Sequence, residues 1–261
     1  MMKTISALLF GDVVGQPGCR ALFFNLNSLR KEYNADIVIA NGENASEGFG
    51  IIPEMAQRFF TSGVDVITTG NHIWQKKEIL PYLDSEAKIL RPVNYPSGVP
   101  GHGYCTIDVK GNSIGIINLQ GRKRMGLYLD CPFRSVKKVI NKIKSTVSSI
   151  LVDFHAECPM EKEAMGFYLD GEVSCMVGTH THIQTCDEKI LPKGTGYITD
   201  IGMTGPKNSV IGALPEISIK RGLTQIPIKM EISNNDAVIE GVLVTISVEN
   251  GKAVDICRIR I

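Results

Sequence analysis

The amino-acid sequence predicts an α/β protein, and three features carry that prediction. The opening stretch alternates short apolar runs with helix-length segments three times, the pattern of parallel βαβ units. The last quarter alternates apolar and polar residues between Asn-rich and Gly turns, as antiparallel strands with one wet face do. The 261 residues are 43% hydrophobic, and no repeat, linker or low-complexity stretch divides them. One domain spanning 1–261, with two sheets, is the economical expectation.

The elements follow in order. Ile5–Phe10 is a continuous apolar run ending at Gly11-Asp12, and Pro17 suits the first turn of a helix reaching about Tyr33. Ile37–Ala40 is a second buried strand, closed by Asn41-Gly42-Glu43-Asn44. Pro53 opens a helix to Ser62; Val64–Thr68 is a third strand, followed by Gly70-Asn71-His72 and a helix over roughly Lys76–Asp84. A Pro/Gly-rich loop, Arg91–Gly103, then precedes a hairpin of Tyr104–Val109 and Ser113–Asn118 around Lys110-Gly111-Asn112. Pro132 begins a basic helix to about Ser145, with Val136, Val139, Ile140 and Ile143 as its apolar stripe. Ile150–Phe154 runs into His155, and a helix near Glu161–Leu169 leads to Val173–Val177. Tyr197–Thr199 reads as a strand and Gly202–Gly212 as an irregular loop. Ile226–Ile232, Val238–Val248 and Val254–Ile261 read as the antiparallel strands.

Composition narrows the function. Lys and Arg number 28 against 27 acidic residues, a net charge of +1, which disfavours a nucleic-acid scaffold working through bulk electrostatics. The seven cysteines are scattered with no CxxC, a pattern of reduced thiols rather than disulfides or a zinc ribbon. The opening MMKTISALLFGD runs into Gly11-Asp12 without a cleavage site, and no apolar run approaches the roughly 20 residues of a membrane span. These features lead to the expectation of a soluble cytoplasmic protein without a membrane partner.

The chemistry lies where the apolar runs stop. Five of them end in ligand-type residues: Asp12; Glu43 and Asn44 beside Asn41; Asn71 and His72; His155; and His180 and His182. In open α/β sheets, sites form beyond the carboxyl ends of parallel strands. Four of the five histidines lie in these junctions. His180 and His182 are spaced i, i+2, and on extended backbone their rings would point to the same side. One Asp, one Glu, one or two Asn and three His exceed the needs of one ion. Nitrogen and oxygen donors without thiolate suit Mn, Fe, Zn or Co. Two ions about 3.5–4 Å apart, bridged by a carboxylate, would use the set fully, clamp a phosphoryl group and turn a water into hydroxide. His72, beside Asn71, is the natural proton donor to a leaving group.

The blocks GNH and GTHTH resemble those of the calcineurin-like metallophosphoesterases. The longer stretches GDVVG, ANGENA, GVDVITTGNHIW, RPVNYP, DCPFR, VDFHAE, AMGFYLDG, GTHTHIQT and YITDIGMTGP resemble the YmdB family of dinuclear phosphodiesterases over essentially the whole chain. The resemblance implies a four-layer αββα sandwich of two mixed sheets flanked by helices. It implies two metals, iron or manganese first, and hydrolysis of phosphodiesters such as 2′,3′-cyclic nucleotides. It also implies that Asp12, Glu43, Asn44 and His182 hold one metal, that Glu43, Asn71, His155 and His180 hold the other, and that His72 donates the proton. Two positions depart from the wider superfamily: Asp12-Val13-Val14 stands where Asp-x-His is usual, and Glu43 where a bridging Asp is usual. Asp153, Asp187 and Asp200 are candidates for orienting the histidines, and Arg122 and Arg124 for contacting phosphate. A binding or sensor protein that holds metal and a phosphorylated ligand is the second reading. Whether RNA is a substrate and whether the chain forms a homo-oligomer are left open by the sequence.

Overall fold

The computed structural model describes residues 3–261. The first half contains β1 (Thr4–Phe10), β2 (Asp12–Val13), α1 (Gly15–Glu32), β3 (Ile37–Asn41), α2 (Pro53–Ser62), β4 (Val66–Thr68), a 3-10 turn (Lys77–Ile79) and α3 (Leu80–Ser85). Then come β5 (Tyr104–Val109), β6 (Asn112–Gln120), α4 (Pro132–Ile143), β7 (Ser149–His155), α5 (Pro159–Leu169), β8 (Cys175–Thr179), β9 (Lys189–Ile190) and β10 (Gly196–Ile198). The chain closes with β11 (Met203–Pro206), α6 (Pro215–Thr224), β12 (Ala237–Val238), β13 (Glu240–Ser247) and β14 (Ala253–Arg260). Proline at the first turn starts α2, α4 and α5, where the missing N–H costs nothing.

Two sheets dominate. The first has the order β14-β13-β1-β3-β4, with β1, β3 and β4 parallel and the β13–β14 hairpin antiparallel beside β1. The second has the order β5-β6-β7-β8-β10-β9, parallel from β6 through β10. Within each apolar strand, alternate residues serve different cores. In β1, Ile5, Ala7 and Leu9 face the second sheet, while Leu8 and Phe10 face α1 and α2. In β7, Leu151 faces the first sheet, while Ile150, Val152 and Phe154 face α4 and α5. A strand covered on both faces is apolar at most positions, which is why these runs are near-continuous rather than alternating; Asp153 in β7 is a buried exception. The result is four layers, helix–sheet–sheet–helix, as the resemblance implied.

Several boundaries differ from the sequence expectation. Helix α1 starts two residues before Pro17, and the expected helix over 76–84 is split into a 3-10 turn and a short α3. Within Gly202–Gly212, the expected loop, β11 forms and pairs with β2 and β12 in a small third sheet. Ile226–Ile232 is not a strand: it is extended chain whose one bridge joins Ile232 to Ala213. Before it lies α6, which the sequence analysis leaves unassigned. None of its residues is buried, so it carries no core-facing stripe to read.

Candidate metal centre

Carboxyl ends of strands from both sheets meet at one place, and the predicted donors come together there. Asp12, Glu43 and His155 are fully buried, Asn44 nearly so, and Asn71, His72, His180 and His182 half-buried. Around His155, Nε2 lies 3.1 Å from Glu43 Oε1, 3.0 Å from Asn71 Oδ1 and 3.0 Å from His180 Nδ1. The donor atoms of Glu43, His155 and His180 all lie within 4.8 Å of one another. Beside them, Asp12 Oδ1 lies 3.7 Å from His182 Nε2. The Asn44 amide nitrogen lies 3.3 Å from Asp12 Oδ1, 3.4 Å from Glu43 Oε1 and 3.2 Å from His182 Nε2. Glu43 therefore touches both groups.

This donor set fits a metal. His155 Nε2 faces three acceptor-type atoms and has at most one proton to give. The Asn44 amide nitrogen likewise sits among three acceptors with two protons. Acceptors in excess of donors, two buried carboxylates among them, are what a cation resolves. Imidazole and carboxylate without thiolate suit a transition metal. Asn44 currently turns its nitrogen toward this group, while its Oδ1 lies 2.6 Å from His72 Nδ1.

Charge is distributed accordingly. Burial opposes ionisation of Asp12, yet the hydrogen bond and charge of His182 hold its carboxyl well below the usual range. Burial likewise opposes ionisation of Glu43, and the charge of His155 outweighs it and lowers its pKa. For His155, burial favours the neutral ring, but the charge and hydrogen bond of Glu43 prevail and raise its pKa to about 9. His180 is pushed down to about 4 by burial and by the neighbouring charge on His155.

The rings are held from behind. His155 Nδ1 lies 2.9 Å from Thr179 Oγ1, which donates its own proton to Asp153 Oδ1 at 2.7 Å. Asp153 also accepts from the Thr68 hydroxyl, and burial raises its pKa to about 6. His182 Nδ1 bonds the Ile211 carbonyl at 2.9 Å. In both rings Nδ1 is occupied by protein and Nε2 is left to the cluster, the usual arrangement for ligating histidine. Of the three acidic candidates, only Asp153 serves a histidine, and through Thr179. Asp187 binds Thr199. Asp200 accepts from Thr181 N (3.2 Å), Thr181 Oγ1 (2.8 Å) and the buried Lys162 Nζ (2.7 Å), so it holds the loop between the two histidines.

That loop corrects one expectation. β8 ends at Thr179, and His180 and His182 have φ of +102° and +63°. Their rings converge because the backbone is left-handed at both, a conformation costly for His, not because extended backbone alternates. The His180 N–H also donates to Asp12 Oδ2 at 3.0 Å, tying the two junctions together. Gly70 shows how tightly the centre is filled: a Cβ there would come 2.2 Å from His155 Cδ2 and 2.5 Å from Glu43 Oε2.

His72 lies at the rim. Its N–H donates to Glu43 Oε2 at 3.0 Å, and its ring meets Phe49 edge-on with centroids 5.0 Å apart. Burial lowers its pKa, with Glu43 opposing. Above it opens a cavity of about 500 Å³. Arg122 and Arg124 are exposed; Glu161 binds the backbone N–H groups of Arg122 and Lys123, not the guanidinium groups. Sequence reasoning missed Thr179, Thr68 and Lys162: hydroxyls within apolar strands and a helix lysine carry no pattern that marks them.

Known proteins with this sequence pattern share the whole fold. A Bacillus subtilis (strain 168) 2′,3′-cyclic-nucleotide 2′-phosphodiesterase is 42% identical over 254 residues, covering 97% of this chain and 96% of that one. The crystal structure described as a novel phosphatase from Mycoplasma pneumoniae superposes with a TM-score of 0.94 at 36% identity, covering 100% of this chain and 94% of that one. A hypothetical protein from Thermus thermophilus superposes with a TM-score of 0.92 at 38% identity, covering 98% of this chain and 99% of that one. The YmdB-like protein family model matches residues 8–259, and the chain belongs to that family.

Proposed function

We propose that this chain, as one domain over 1–261, is a metal-dependent phosphodiesterase that opens nucleoside 2′,3′-cyclic phosphates at the 2′ oxygen. The observation that carries the reading is the meeting of seven nitrogen and oxygen donors at the carboxyl ends of two sheets, with His72 against Glu43 at the rim. The relative that is 42% identical over 97% of this chain and 96% of its own bears the name of that activity.

Asp12, Asn44 and His182 would hold one ion, and Asn71, His155 and His180 the other, with Glu43 common to both. Asn44 joins by turning its amide so that the oxygen faces the ion. Bound ions supply Lewis acidity to an attacking water and to the phosphoryl oxygens. The donor set suits manganese, iron, zinc or cobalt, and the family resemblance favours iron or manganese among them. Water adds to phosphorus opposite O2′ and gives up one proton to solvent, the P–O2′ bond breaks, and the departing oxygen takes a proton, leaving a 3′-phosphate and a 2′-hydroxyl. His72 supplies that proton. With Asn44 so turned, its amide nitrogen would take the place of Oδ1 beside His72 Nδ1 and donate to it, which leaves the Nε2–H of His72 to face substrate. The buried carboxylates position the histidines, and Thr179 and Asp153 keep His155 in the tautomer that aims Nε2 inward.

Seven cysteines, all free, support a reducing cytoplasmic setting, and no helix among the described residues is long and apolar enough to cross a membrane. His72→Ala tests the assignment. It is expected to keep both metals and lose turnover by about 10²–10⁴-fold, the usual range for a proton-transfer residue. Equal turnover in variant and parent removes His72 from the chemistry.

A further inference from the structure

The cavity above the donor cluster has walls of its own. Its floor includes His72, His180 and His182, and its volume is about 500 Å³, the size of a nucleotide site rather than a bare phosphate site. Phe49, 40% exposed, forms one side. Ile211, Met230 and Ile232 form another, brought in by the segment between β11 and β12.

That segment is anchored at the site. Ile211 gives its carbonyl to His182 and is itself left-handed, with φ of +49°, an outlying conformation for a β-branched residue. Ile232 seats against Gly48 and Gly15, where a Cβ would lie 2.5 and 2.9 Å from its side chain. The two arms are joined by the Leu214 N–H donating to the Glu231 carbonyl at 2.9 Å and by the Ala213–Ile232 bridge. Between the arms lies α6, which adds nothing to the core but places Arg221 in the cavity wall. Arg221 is the one arginine or lysine among the lining residues.

We propose that this cavity holds the nucleoside of the substrate and that Arg221 takes a second phosphate, on the 5′ carbon. The preferred substrates are then nucleotides that carry a 5′ phosphate beside the 2′,3′-cyclic one. The inference rests on the phosphodiesterase reading above and deepens it. Aliphatic walls and an aromatic ring suit the faces of a base. The reacting phosphate belongs to the donor cluster in the floor, so the guanidinium in the wall serves another anion through charge-assisted hydrogen bonds. Besides Glu43 of the cluster, the lining also holds one carboxylate, Glu157, whose Oε2 lies 3.4 Å from His180 Nε2. Core packing gives no reason for α6; a substrate contact does.

The test compares kcat/KM of the metal-loaded protein for adenosine 2′,3′-cyclic phosphate, its 5′-phosphorylated form and a dinucleotide ending in the cyclic phosphate. A preference of roughly tenfold for a 5′-phosphorylated substrate is expected, as one charge-assisted contact provides. It falls toward one in Arg221→Ala and survives in part in Arg221→Lys. If the 5′-phosphate form and the dinucleotide share the preference, the site reads phosphate of either kind; if only one does, that one is the substrate. Metal-free protein should likewise bind adenosine 3′,5′-bisphosphate more tightly than adenosine 3′-phosphate, with the difference lost in Arg221→Ala. Wild-type protein that hydrolyses all three substrates equally, or an unchanged preference in Arg221→Ala, overturns the subsite alone. Failure to hydrolyse any of them overturns the phosphodiesterase reading and the subsite with it.

Discussion

Replacing Thr179 with valine isolates the support behind His155. Valine keeps the shape and the β-strand preference of threonine in β8 and removes one oxygen. That oxygen stands 2.9 Å from His155 Nδ1 and 2.7 Å from Asp153 Oδ1, with Thr179 and His155 at 0% exposure and Asp153 at 4%. Its loss strands the Nδ1 proton and takes one donor from Asp153, which retains the hydroxyl of Thr68. Each unsatisfied buried group costs about 1–3 kcal/mol, so the metal-free protein should lose about 2–4 kcal/mol. For a chain of this size that lowers Tm by about 5–15 °C. With the ring free to rotate, Mn²⁺ affinity should fall about 10–100-fold, the usual cost of removing such a partner. Thermal unfolding with and without metal, together with a calorimetric Mn²⁺ titration, measures both quantities. Thr179→Ser restores the hydroxyl and should restore affinity. If Thr179→Val binds Mn²⁺ as tightly as the parent, His155 is not oriented through this bond and the reasoning fails.

Two further predictions concern stability. The folded pKa of His155 is raised from 6.5 to about 9, so its contribution is complete below the lower value and lost as pH rises through the upper one. The urea midpoint of metal-free protein should therefore fall between those two pH values, and saturating Mn²⁺ should flatten the decline, because the ion takes the neutral ring. A flat metal-free profile would contradict the pairing of His155 with Glu43. Lys162→Met leaves Asp200 charged and buried without its cation, so unfolding in denaturant should show a loss of about 3 kcal/mol. A midpoint equal to the parent's would show that Thr181 and Gly202 satisfy Asp200 without the lysine.

The sequence made the strands and the donors legible for one physical reason. A strand with both faces covered carries few polar residues before it leaves the sheet, so β1, β3, β7 and β8 appear as apolar runs that stop at chemistry, with the mutually bonded Asp153 and Thr179 as exceptions. Which face each residue takes was not legible, because an uninterrupted run has no visible period. The pairing of His180 with His182 followed from their spacing, but through the wrong geometry: their left-handed backbone depends on Thr181 being held by Asp200, a residue 19 positions further along the chain. Thr179 was invisible because a hydroxyl in a strand usually bonds locally, and its partner Asp153 is 26 residues away in sequence. Helix α6 escaped because burial is what writes a helical stripe into a sequence, and α6 buries nothing. What it contributes is a surface on the cavity.

The most direct test of the central claim is metal content measured together with turnover, on protein purified without chelator. Bis-p-nitrophenyl phosphate and a 2′,3′-cyclic nucleotide serve as substrates, with wild type set beside Glu43→Ala. Glu43 touches both donor groups, His155 on one side and Asn44 on the other. Wild type should therefore carry two transition-metal ions per chain and hydrolyse both substrates, and the variant should lose metal and hydrolysis together. Wild-type protein that takes up neither Mn nor Fe, or a Glu43→Ala variant that keeps two ions and full turnover, would contradict the account.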